Sequence, residues 1–284
     1  MSSTDPAALF SVTGLVTVIT GGGTGIGLML AQALESNGAI VYILGRRQDV
    51  LEKAAGTAKH GKLYPIVTDV TSKSDLKAAA QHVKEQSGYV NLVIANAGIN
   101  GPTLYDLPQN PSFEQFRDFI QAWDVSECNQ TFAINTTAVF TTMVAFLDLL
   151  DQGNKAGNVG QKSQFLAVTS VGAYNRMPLA GFIYNSSKAA AVHLVKQFAT
   201  SMAPYGIRAN AIAPGLYPSE MSPWLMESYE NGRLPKAFIP AGRTGELEDM
   251  AGAVLFLASR AGGYVNGDVL LTDGGAIGLL PSTY

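Results

Sequence analysis

The chain has 284 residues, of which 47% are hydrophobic and 14% charged, with 30 glycines and 13 prolines. Such apolar content excludes disorder as the dominant state, and a chain of this length can bury a core without disulfides or metals. Nineteen basic against 22 acidic residues give a formal charge of −3 with no basic block, which argues against nucleic acid as a partner, and the single cysteine, Cys128, excludes an intrachain disulfide.

Met1–Phe10 reads as an N-terminal tail, with Asp5 and Pro6 and neither the basic start nor the apolar run of a secretory signal. A cytoplasmic protein is therefore expected. Beyond it, short β-branched runs alternate with longer helical patterns, the mark of βαβ units around a parallel sheet. Strands are predicted at Leu15–Thr20, Ala39–Leu44, Leu63–Thr68, Asn91–Ala95, Ser163–Thr169, Ile207–Ala213 and Asp268–Thr272. Helices are predicted near Gly25–Asn37, Asp49–Ala58, Lys73–Gln86, Trp123–Leu150, Gly181–Ala203 and Leu247–Ser259. The first four strands are nearly all apolar, as expected where helices cover both sheet faces. Thr131–Leu150 is the most membrane-like stretch, but Asn135, Asp148 and five threonines interrupt it. A core or interface helix is expected there, and no membrane span. Asp151–Gln161 reads as a mobile surface loop. Asn100–Ser112 and Leu216–Gly245 are proline-rich and without periodicity, as functional loops are. Residues 1–284 are thus read as a single α/β domain, doubly wound, with a seven-stranded parallel sheet flanked by helices and a lid over 216–245. Three scattered histidines and no cysteine pair give no metal site.

The first strand runs into Thr20-Gly21-Gly22-Gly23-Thr24-Gly25-Ile26-Gly27 and then an apolar helix. Glycines at such a turn let backbone approach a pyrophosphate, whose charge the helix N-terminus stabilises; close strand–helix packing alone would use them too. The spacing is Gly21-x-x-x-Gly25-x-Gly27, not the G-x-G-x-x-G of many dinucleotide sites, though the place in a Rossmann-like βα turn is the same. At the second strand's end, where a carboxylate would receive the ribose hydroxyl of NAD, stand Arg46 and Arg47, with no acid before Asp49. Guanidinium forks suit the 2′-phosphate of NADP(H), and Arg46 is the stronger candidate; the alternative is two solvated basic residues. Asp69, before Val70, is placed either to bond the adenine amino group or to serve the start of the next helix. Asn96-Ala97-Gly98 leaves room for a ligand at the sheet's carboxyl edge.

Tyr184 and Lys188 stand four apart on a predicted helix, hence on one face. A nearby ammonium favours the phenolate, so Tyr184 is expected to have a lowered pKa and to act as general acid or base. Ser170, at the end of the fifth strand, is placed to bond a substrate oxygen.

In this order, the glycine turn, Asp69-Val70, Asn96-Ala97-Gly98, Asn135, Ser170, Tyr184/Lys188 and Pro214-Gly215 resemble the motifs of the short-chain dehydrogenase/reductase family over residues 11–276. The resemblance implies a catalytic tetrad of Asn135, Ser170, Tyr184 and Lys188. Its implied cofactor site comprises Gly21, Thr24, Gly25, Ile26, Gly27, Arg46, Arg47, Asp69, Val70, Asn96, Ala97, Gly98, Tyr184, Lys188, Pro214, Gly215 and Ser219. Ser219 stands where the family often has threonine, and Pro218 before it is unusual. The expectation is NADPH-dependent reduction of a small-molecule carbonyl to a secondary alcohol. Alternatives at the same site are NADP-linked alcohol oxidation, reduction of C=N or C=C bonds, or a non-catalytic NADP(H)-binding sensor. The lid stretch Met221–Ile239, with Trp224, Leu225, Met226, Tyr229 and Phe238, suggests an apolar or cyclic substrate or a partner subunit. The resemblance also implies a homodimer or homotetramer assembled through the helices Trp123–Leu150 and Gly181–Ala203, which the low charge would fit.

Overall fold

The computed structural model describes residues 4–178, 180–221 and 234–284. Apolar strands flanked by amphipathic helices bury most when helices lie on both faces of a parallel sheet. Seven parallel strands do so here: β1 (Val16–Thr20), β2 (Ile40–Gly45), β3 (Leu63–Val67), β4 (Leu92–Ala95), β5 (Gln164–Val168), β6 (Arg208–Pro214) and β7 (Val269–Thr272), in the spatial order β3-β2-β1-β4-β5-β6-β7. The order reverses between β1 and β4, which opens a crevice at their carboxyl ends.

Successive side chains along a strand point to opposite faces, so each strand feeds two cores. Val16 and Val18 of β1 and Phe165 of β5 face helices α4 (Lys73–Ser87), α7 (Ala138–Ala156) and α8 (Phe182–Met202), meeting Val83, Phe146 and Phe198. Ile19 and Leu166 face α2 (Gly25–Ser36), α3 (Gln48–Ala55) and α9 (Leu247–Ala258), meeting Leu34, Leu51 and Leu257. A one-turn helix, α1 (Pro6–Leu9), precedes β1.

Several expectations change. β3 is one of the two edge strands, with Tyr64 42% and Val67 56% exposed, so its apolar sequence is not covered on both faces. Pro65 fits such an edge, where a missing N–H costs no ladder bond. Between the irregular stretch Asn100–Ser112 and the helix expected from Trp123, where no element is predicted, lies α5 (Phe113–Gln121), started by a capping box between Ser112 and Gln115. The long helix expected over Trp123–Leu150 is α6 (Val125–Phe132), one π-helical turn (Ala133–Thr137) and α7. Because α7 continues to Ala156, the expected mobile loop shrinks to the few residues after it. Residues 125–156 are long and apolar enough to cross a membrane, but half of that apolar stretch is buried inside the protein, as a core helix is. The lid side chains Trp224, Leu225, Met226 and Tyr229 lie outside the described residues.

Candidate active site

The turn after β1 is shaped by what its glycines lack. Gly25 takes φ +49°, a left-handed conformation that opens α2, and a Cβ on Gly27 would fall 2.1 Å from the Gly21 carbonyl oxygen. Thr24 precedes α2 in extended conformation without a side-chain cap, so the helix presents its positive end to the crevice. Asn96, at the end of β4, locks the turn: its Nδ2 donates to the Thr20 and Gly21 carbonyls at 3.0 Å each, and the Asn96 and Ala97 amides donate to Thr20 Oγ1. The Asn96 amide thus holds the turn in place.

These residues border a crevice of about 650 Å³. Its walls also carry Arg46, Arg47, Asp69, Val70, Gly98, Tyr184, Lys188 and Ser219, from five different parts of the chain. Asp69 accepts from Thr71 through both N–H and hydroxyl, and these bonds, aided by the charge of Arg46, hold its carboxyl below the usual range. The helix start expected near it is capped by Ser72, which accepts from the Asp75 amide. Arg47 is paired with Glu220 at 2.7 Å across the crevice mouth, whereas Arg46 has no ion pair among the described residues.

A second cavity of about 480 Å³ adjoins the crevice and is walled mostly by apolar side chains, among them Leu216, Tyr217, Met221, Phe238, Ile239 and Leu280. Pro214, Gly215 and Ser170 open onto this cavity, not onto the crevice. Tyr184 borders both spaces.

The four tetrad positions converge, in two layers. α8 presents Tyr184 and Lys188 on one face, with Lys188 Nζ 5.8 Å from the Tyr184 ring centre. Lys188 is 4% exposed and donates to the Val168 carbonyl at the end of β5 at 3.1 Å. Burial pushes its ammonium down to about 8. Ser170, directly after β5, hydrogen-bonds the phenol, which pulls the Tyr184 pKa down, but burial outweighs this and the net displacement is upward. The lowered value expected from the Tyr–Lys spacing is therefore corrected: an ammonium itself stripped of water and engaged by a backbone carbonyl does not offset the phenol's own desolvation.

Asn135 forms the layer beneath, buried completely and lining neither space. Its Oδ1 accepts from the Ile99 amide at 2.9 Å, and its Nδ2 donates to the Ile99 carbonyl and to Ser187 Oγ. Thr136 donates to the Ser187 carbonyl. The π turn carries these two residues, and π turns often sit at functional sites because they redirect side chains within a continuing helix. Asn135 thus ties the segment after β4 to α8, which carries Tyr184.

Residue patterns gave no hint of the Val168 carbonyl, of Ser187, or of Ala276 and Leu280 in the cavity wall. Glu220 carried a weak signal as an acid beside the lid.

A family model described as enoyl-(acyl carrier protein) reductase matches residues 21–276. The short-chain dehydrogenase/reductase PhomF of Diaporthe leptostromiformis is 47% identical over 282 residues, covering 98% of this chain and 96% of the relative. Among solved structures, a Pseudomonas aeruginosa RhlG/NADP active-site complex superposes with a TM-score of 0.81 at 29% identity, covering 95% of this chain and 99% of that one. A 3-ketoacyl-(acyl-carrier-protein) reductase from Brucella melitensis complexed with NADH gives 0.76 at 27%, covering 94% and 100%. With a crevice, a phenol and a buried ammonium arranged as described, and with likeness over nearly its whole length, the chain belongs to the short-chain dehydrogenase/reductase family of oxidoreductases.

Proposed function

We propose that this protein is a cytoplasmic, NADPH-dependent reductase that converts a ketone to a secondary alcohol, with Tyr184 as general acid. The observation that carries this reading is the Tyr184 phenol, hydrogen-bonded to Ser170 and backed by Lys188, at the junction of crevice and apolar cavity.

The crevice residues fit a dinucleotide. A backbone turn that admits no side chain at Gly27 and the positive end of α2 suit a pyrophosphate, and Arg46 offers an uncommitted guanidinium for a 2′-phosphate. When bound, the dihydronicotinamide supplies the hydride. Ser170 donates to the substrate's carbonyl oxygen and holds it beside the phenol. Tyr184 gives its Oη proton to that oxygen as the carbonyl carbon becomes tetrahedral. Lys188 stabilises the phenolate left behind, and Asn135 keeps α8 in register with the segment after β4. Reduction draws on the protonated phenol, whereas alcohol oxidation needs the phenolate, the form that burial disfavours here.

Tyr184→Phe is expected to lower kcat for ketone reduction by about 10²–10⁴-fold, while the Kd for NADPH measured by fluorescence titration stays within about twofold. Turnover at the wild-type rate in this variant would remove Tyr184 from the mechanism.

A further inference from the structure

Part of the apolar cavity's wall comes from a segment outside the glycine turn, the strand ends, the tetrad and the loops on either side of the crevice. It is the C-terminal strap, residues 276–284, of which Ala276 and Leu280 face the cavity. The strap is fastened at both ends. At its root, Asp273 accepts from the Gly275 and Ile277 amides, Ile277 is buried, and Ala276 packs against the apolar pair Leu234 and Ile239. At its tip, the Arg176 amide donates to the Pro281 carbonyl at 2.8 Å and the Thr283 amide donates to the Tyr174 carbonyl at 2.9 Å. Asn175 and Ser282 form an antiparallel bridge between these bonds, and the Tyr284 ring stands edge-on to Tyr174 with centres 5.1 Å apart. The segment that receives the strap lies between Ser170 and Tyr184 in the chain, so one loop joins the reacting hydroxyls to the wall opposite.

The chemistry of the lining restricts the occupant. None of the described lining residues is Lys, Arg, His, Asp or Glu. Among these residues a carboxylate or phosphate drawn in would lose hydration with no counter-charge to replace it. Its polar lining is uncharged, with Ser170 and Tyr184 at the reaction centre and Asn100, Asn175, Asn185 and Ser219 around it, and aromatic and aliphatic groups such as Leu216, Phe238, Ile239 and Leu280 form much of the remainder. A volume of about 480 Å³ lies in the range of small-molecule sites.

We propose that the strap sets the size limit of this cavity, with Leu280 as its specificity-determining side chain, and that the cavity takes uncharged aryl or alicyclic ketones. This rests on the ketone-reductase reading above. It goes further by assigning the wall and the charge class of the substrate.

The test uses acetophenone, acetonaphthone and acetylphenanthrene as a series of increasing size, with phenylglyoxylate as the charged counterpart of acetophenone. Kd is measured by equilibrium dialysis against the enzyme saturated with NADP+, which cannot reduce the ketone, and turnover is followed separately as loss of NADPH absorbance. Ending the chain at Leu280, or Tyr284→Ala, should shift binding preference toward acetylphenanthrene over acetophenone by about tenfold, because the wall loosens. Leu280→Trp should shift it about tenfold the other way, and it carries the test if the shortened chain does not fold. Phenylglyoxylate should bind at least about tenfold more weakly than acetophenone in every form. Unchanged size preference in the variants, equal binding of phenylglyoxylate, or no binding of any ketone overturns the proposal. Binding with the expected preferences but without NADPH oxidation overturns the reductase reading and leaves the strap's role standing.

Discussion

Arg46 and Arg47 are neighbours in sequence with different situations in the fold. Arg47 is neutralised by Glu220, while Arg46 lies exposed near Asp69. Arg46→Ala is therefore expected to weaken NADPH binding by about 10–100-fold and to leave NADH binding nearly unchanged, with a smaller effect for Arg47→Ala. Competitive titration of both cofactors checks this, and equal losses for NADPH and NADH would contradict it. Lys188 makes a second residue-scale prediction. Its ammonium, lowered from 10.5 to about 8, is lost as pH rises through that value. Thus kcat/KM for NADPH, which reports the cofactor-free enzyme, should fall above pH 8. Stability runs the other way. The unfolded chain holds this proton up to its ordinary pKa, so at neutral pH the buried charge opposes folding by about 3 kcal/mol, a cost that fades as pH rises above the folded value. Lys188→Met should accordingly abolish turnover yet raise Tm at pH 7, as differential scanning calorimetry would record.

At the scale of elements, alternating apolar runs were enough to locate all seven strands and six of the helices, because burial on a two-sided sheet leaves a strong compositional trace. The misses have local causes. α5 carries Phe113, Phe116, Phe119 and Ile120 at helical spacing behind a capping box, but it is short, follows a proline-rich stretch and has no fully buried residue. The π turn leaves no periodic signature, since one extra residue per turn within a helix of thirty-two does not disturb an apolar pattern read over longer windows. β3 is as apolar as its neighbours in sequence; only its place at the sheet edge makes it half-exposed. Conversely, β6 is buried throughout even at Arg208, whose guanidinium is held by Gln164 and by the Gly262 and Val265 carbonyls.

At the scale of the molecule, α7 exposes Phe140 and Val144, 46% and 51% accessible, in its apolar first half. Phe140 stacks on the buried Phe198 of α8, which fixes the exposed face of α7 against its neighbour helix. We propose that this surface joins two copies of the chain, which the low charged fraction would suit. Light scattering at micromolar concentration should give a dimer or tetramer, and Val144→Glu should shift it toward monomer without changing the folded-state circular dichroism. A wild-type monomer would refute the proposal.

The sequence by itself determined the sheet, the glycine turn and the identity of Ser170, Tyr184 and Lys188 as a group, because each depends on short-range spacing and on residue chemistry that few other arrangements use. The tertiary structure alone decided how those groups are tuned and enclosed. Burial, not spacing, pushes the phenol up and the ammonium down. Asn135 works behind the site through Ile99 and Ser187, and Ala276 and Leu280 return to wall a cavity that Ile26, Asn100 and Ser170 also line. Such effects depend on which distant segments share one low-dielectric space, and a linear pattern carries no record of that.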